Sequence, residues 1–181
     1  MEEKPNVGMR LVSMLLDHFI LCFALVPVMM ILVFATGSTM PFDMPIWPFY
    51  VVIAIYLNKD AVGGQSIAKR ILGLKVIDRK TGQPANELQC FLRNMTVPIW
   101  IIELIPVLIS PSRRIGDVVA GTRTVVSEKR PPFSLFSDLR GRRPNRSTWL
   151  MLITACIYIA LLAMTMNRLL PQPADFRPPV Q

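Results

Sequence analysis

Arg10 and Asp17 are the pair in this chain whose types and spacing invite chemistry. They stand seven residues apart at the start of an apolar stretch. Seven residues are nearly two helical turns, so a helix sets both on one face, ~10 Å apart along its axis. The arginine points back toward the helix N-terminus and is expected to snorkel to lipid phosphates. The carboxylate has no such escape. It must be paired, hydrated or protonated, because an unpaired buried charge is expensive. Lys69, Arg70, Arg93 and Arg114 are its candidate partners. Two roles follow: the charges clamp a cytoplasmic segment to the helix, or Asp17 binds an ion or proton. The clamp is the preferred reading. His18 and Glu103 are further titratable groups within apolar sequence. His18 is either a satisfied polar residue or a proton shuttle. Glu103 is either solvated in a polar cavity or a second relay carboxylate.

Other chemistry finds no motif. Gly63 to Arg70 resembles a phosphate loop only superficially, since Ala68 and Arg70 stand where Gly and Ser or Thr are required. No HExxH, nucleophile elbow or metal-ligand cluster is present. Cys22, Cys90 and Cys156 form no CxxC pair. The expectation is a protein without catalytic residues, metal or cofactor.

The elements that must position these residues are membrane helices. Of 181 residues, 52% are hydrophobic, and mean hydropathy is +0.43. Soluble domains reach similar values, so distribution decides: apolar blocks alternate with charged connections. Leu11 to Thr36 is long enough to span, needing ~20 mostly apolar residues, and tolerates Pro27. Its length and early carboxylate argue against a signal peptide. Ile46 to Leu57 makes a thin second span if Lys59 snorkels. Trp149 to Met166 is the third, with Trp149 an interface anchor. Between them, Ser66 is placed to cap a helix over Ile67 to Leu72. Its apolar residues and Lys69 and Arg70 suit an amphipathic segment at the headgroups. Lys75 to Asp78 and Gly121 to Val126 read as short strands able to pair, with a turn at Lys80 to Gln83.

Charge fixes the expected topology. The net charge is +8, carried by connections rather than by one stripe. That favours cytoplasmic loops over nucleic-acid binding. If Met95 to Ser110 crossed the bilayer, Arg113 to Arg146 would lie outside, against the positive-inside tendency. A re-entrant or interfacial segment is therefore expected there. The N-terminus is then cytoplasmic and the C-terminal tail outside. The expected fold is an all-α membrane protein with about three transmembrane helices, this re-entrant segment and a small cytoplasmic β element. Its parts are a membrane domain over 1–126, a basic linker over 127–147, poorly ordered alone, a helix over 148–167 and a Pro-rich tail over 168–181.

Taken together, the pattern resembles the RDD family of mostly bacterial membrane proteins, named for one Arg and two Asp residues. Arg10 and Asp17 match the Arg and first Asp of the first helix. Asp117, within Arg114 to Thr122, matches the second Asp and its Ala-Gly-Thr context. Gly64 to Val76 resembles the middle motif, departing from it at Ala68, where Gly is usual. The resemblance covers about residues 7–126. It implies a bacterial inner membrane location and a poorly defined activity: transport of an unknown ligand, ion exchange in some members, partnership in larger membrane assemblies in others. Asp117 itself could cap a short helix or pair with Arg70, Arg93 or Arg114, joining Arg10 and Asp17 in one charge network. The expected function is a membrane adaptor or assembly partner. The alternative is a small ion or solute transporter using Asp17, Glu103 and His18. Expected partners are the bilayer, anionic lipid headgroups drawn to the basic linker, and a protein partner or second copy, with no nucleic acid.

Overall fold

Apolar sequence closes its backbone hydrogen bonds within helices, and three such helices carry the described hydrophobic stretches. The computed structural model describes residues 4–35, 47–96, 108, 110 and 114–169. Helix α1 runs Val7–Ala35 with Pro27 inside it, and α2 runs Trp47–Leu57. Two short elements follow, helix α3 (Ile67–Leu72) and strand β1 (Leu74–Asp78). Helix α4 (Glu87–Asn94), helix α5 (Ile115–Val119) and strand β2 (Thr122–Val126) come next. Helix α6 (Ser134–Arg140) leads into α7 (Arg146–Leu169).

Two described helices are long and apolar enough to cross a bilayer, at Val7–Ile31 and Arg146–Met166. Their apolar windows are only 6% and 11% buried inside the protein. Core helices of a soluble fold would be mostly covered, so these faces are dressed for lipid. Helix α2, at 11 residues, is about half the ~20 residues a full span needs. The described residues thus give two candidate spans, and the expected count of three is not reached among them. Leu57 at the end of α2 packs with Phe91 of α4 and Met151 and Ala155 of α7.

Between the long helices sits a small polar platform. Ser66 caps α3 as expected, its Oγ accepting from the Lys69 N–H. Gly73 ends that helix at φ +68°, and a Cβ there would lie 2.7 Å from the Ser127 carbonyl oxygen. The two expected strands pair antiparallel, Leu74 opposite Val126 and Asp78 opposite Thr122. Asn86 and Gln89 form a capping box at the start of α4. Cys90 and Val76 pack with Ala85 beneath the strand pair.

One expectation is corrected here. The basic residues of α3 are not a headgroup-facing surface: Lys69 and Arg70 are buried, while Ile71 is exposed. The helix is turned so because the carboxylates lie on the protein side. The linker, expected to be poorly ordered alone, is tied to the rest of the fold. It contains α6, whose Asp138 accepts from Arg70 at 2.9 Å and Arg130 at 3.0 Å. Arg142 reaches Glu87 at 2.8 Å, and three ion pairs of this kind give a basic segment a fixed path. Most of Met95 to Ser110, including Glu103, and the tail beyond Leu169 lie outside the described residues. The residues flanking the first of these stretches meet: Arg114 donates to the Asn94 side chain and, at 3.3 Å, to the Arg93 carbonyl.

Candidate functional site

Positions i, i+3 and i+7 of a helix share one face, and on α1 these are Arg10, Ser13 and Asp17, all buried. This face rests on α3 and the strand pair rather than on lipid. Arg10 is 1% exposed. Its guanidinium donates to Asp117 at 2.8 Å and to the Thr124 hydroxyl on β2. The expectation that Arg10 snorkels to phosphates is therefore overturned. A carboxylate and a hydroxyl within the fold supply the acceptors that phosphates would have offered.

Asp117 sits where several elements converge. It is the third residue of α5, and its carboxylate reaches back to the Arg114 backbone N–H at 3.2 Å. Arg114, not Asp117, is thus the helix's first flanking residue. The same carboxylate accepts from Thr122 at 3.0 Å and pairs with Arg93 at 3.0 Å. Burial pushes the Asp117 carboxyl up, but Arg93, Arg10 and Arg114 outweigh it and hold it below its ordinary range.

Arg93 continues the chain of charges. It stands 3.7 Å from Asp60, which pairs with Lys69 at 2.8 Å. Lys69 in turn donates to Asp17 at 3.0 Å. Arg10, Asp117, Arg93, Asp60, Lys69 and Asp17 therefore form one continuous buried network joining α1 to α3, α4 and α5. Burial raises Asp60, and Lys69, Arg93 and Lys59 more than reverse it, so this carboxyl lies well below the usual range. Lys59 lies over the Tyr56 ring at 4.2 Å and 3.8 Å from Asp17. Burial pulls its ammonium down, against the pull of Asp17 and Asp60.

The remaining candidates divide. Arg70 forms a separate latch, donating to Ser134 at 2.8 Å and Asp138 at 2.9 Å on α6. Arg114 braces α4 and α5 through Asn94. His18 is exposed on α1, edge-on to Tyr56 with centroids 6.2 Å apart and 3.6 Å from the Cys22 Sγ. It does not join the network, and Glu103 lies outside the described residues. No group of three His, Cys, Asp or Glu residues suited to a metal occurs among the described residues.

Asp60 and Asp138 are the residues that sequence reasoning missed. Asp60 had a signal: it is the only carboxylate between Asp43 and Asp78, in a segment otherwise rich in cations. Asp138 had a weaker one, as the one acid of the basic linker between Lys129 and Arg146.

No curated protein and no solved structure matches the chain. The family model of the RDD family matches residues 4–168, beyond the 7–126 of the motif resemblance, so the linker and all of α7 but its last residue fall inside it. With both signature carboxylates and the signature arginine gathered into one buried network, and the match covering nearly the whole chain, this membrane protein belongs to the RDD family.

Proposed function

We propose that the chain is a membrane scaffold whose charge network clamps a cytoplasmic platform onto the first membrane helix, so that the platform serves as an adaptor or assembly partner. The observation that carries this reading is the direct pairing of Arg10 with Asp117 and of Asp17 with Lys69. Ion pairs of this kind hold elements in one arrangement, and removing one partner strands a buried charge. The reading assigns no catalysis to the protein. It puts the platform on the cytoplasmic side of a bacterial inner membrane, where the basic connections favour it.

Affinity purification of the intact chain in mild detergent tests the reading. A stoichiometric protein partner, or a second copy, retained by the wild type and lost when platform surface residues are changed, supports it. A chain that purifies alone and monomeric counts against it.

A transporter reading has one observation of its own. Asp17 lies inside a candidate span and faces two lysines, Lys69 at 3.0 Å and Lys59 at 3.8 Å. Such a carboxylate could exchange partners during ion passage. Proteoliposome flux separates the two. Flux abolished by Asp17→Asn in a chain that still folds favours transport, and absence of flux in the wild type favours the scaffold.

A further inference from the structure

Helix α6 is amphipathic in the reverse sense for a helix on a protein surface. Ser134 and Asp138, at i and i+4, turn inward and hold Arg70. At 100° per residue, Phe136 stands opposite that pair, with Phe133 and Leu139 on either side of it. These three are 77%, 62% and 49% exposed in the order Phe133, Phe136, Leu139. The polar side is used to anchor the helix, and the apolar side is offered outward. Cations lie close to that helix in the chain, Arg140 on its last turn. Lys129, Arg140, Arg143 and Arg146 are all exposed, and Arg140 and Arg143 make no ion pair among the described residues.

We propose that α6 docks in the headgroup region of an anionic bilayer leaflet, inserting Phe133, Phe136 and Leu139 while Arg140 and Arg143 meet lipid phosphates. Position supports this occupant. A candidate span begins at Arg146, six residues after the end of α6, so the helix cannot leave the surface by more than ~20 Å. A short helix with aromatic and aliphatic residues on one face and arginines beside them has the composition of an interfacial anchor. The Arg70–Asp138 pair sets its rotation, so that the apolar side is presented before lipid is met. The proposal rests on the membrane reading and not on the adaptor role.

The test uses the full chain in lipid discs with and without phosphatidylglycerol. A nitroxide is attached at Phe136→Cys, with Phe23→Cys as a second, separately labelled chain. Cys22 and Cys156 are changed to Ala. Cys90 is left, because burial pushes its thiol up to about 12. The accessibility of each label to oxygen and to a water-soluble nickel complex reads its depth. The Phe136 label should be immersed in the anionic discs and largely aqueous in the zwitterionic ones. Arg140→Gln with Arg143→Gln should lower the immersed-to-aqueous ratio about 25-fold, about fivefold for each near-surface charge. A Phe136 label that stays aqueous in both discs, while the Phe23 label is immersed, overturns the proposal, leaves the membrane reading standing and hands the face to a protein partner. Equal immersion in both discs overturns the anionic requirement.

Discussion

At the scale of single residues, burial raises the stakes of every charge in the network. Arg10 and Asp117 are almost fully excluded from water, so removing either leaves the buried network with an uncompensated charge, although Asp117 is shared with Arg93. Deleting one partner of such a pair costs about 3–5 kcal/mol because the survivor is stranded. We expect Arg10→Gln and Asp117→Asn each to lower the melting temperature of the detergent-solubilised chain sharply. The double variant should lose less than the sum, since the pair is removed whole and Arg93 keeps Asp60, and a double-mutant cycle measures this coupling. Strict additivity would mean that the 2.8 Å contact is incidental. Acid should act through the same residues. Asp60 and Asp117 are held below their ordinary range in the fold, against about 3.9 when unfolded. Their contribution is therefore fully present above the unfolded value and is lost as pH falls through the folded ones. Melting temperature should stay nearly flat from neutrality to about pH 5 and fall steeply below about pH 4. A loss centred well above the carboxylate range, at about pH 6 or higher, would remove these two carboxylates from the account.

At the scale of elements, the network depends on how closely α5 approaches α4. Gly116 makes that approach: a Cβ there would lie 1.9 Å from the Arg93 carbonyl oxygen and 2.7 Å from the Thr96 hydroxyl. The first of these atoms belongs to backbone and cannot step aside. Gly116→Ala should push α5 outward, carry Asp117 away from Arg93 and Arg10, and destabilise the chain by at least the ~1–3 kcal/mol typical of overpacking. Size-exclusion profiles after graded heating would show it, and a profile matching the wild type would mean the two helices are not in contact. These elements were unequally legible in the sequence. Ser66 before a short apolar-basic run announced α3, and β-branched runs announced both strands, because capping and strand preference are local. The sequence named Lys69 as a candidate partner for Asp17, a contact present at 3.0 Å, but the inward turn of Arg70 toward α6 was not legible. Arg70 is held by a carboxylate far along the chain, Asp138, which had not been placed, and the nearer Asp60, which accepts from Lys69, had not been placed either. Helix α6 was hidden for the same reason: its stabilising contacts are ion pairs to Arg70 and Arg130, while its own composition reads as a solvated linker.

At the scale of the whole molecule, the three described long elements meet the platform at one end. Helix α1 enters through Arg10 and Asp17, α2 arrives at Leu57 beside Asn94, and α7 departs where Thr148 and Leu88 bond Glu87 and Ser147. The charge pattern of the sequence led to the expectation of basic connections on one side, and such a gathering is compatible with it. What charge could not foretell is that the connections are fused into a single body, through β1 with β2 and through Arg114 with Asn94. A shared body means a shared side, which turns topology into a strong prediction. Thr81, in the turn after β1, and Arg143, in the linker before α7, are 62 positions apart in a chain with an apolar stretch between them, and both are exposed. Single cysteines at these two sites, in a chain lacking Cys22 and Cys156, should behave identically toward a membrane-impermeant maleimide. Both should be protected in intact cells and both labelled in inverted vesicles. Were one labelled from outside and the other not, the strand pairing and the Arg114–Asn94 contact could not coexist with the bilayer, and the platform would have to be taken apart into two faces. Were both labelled from outside, the platform would survive intact, but the excess of Lys and Arg would have failed as the determinant of which way this chain is inserted.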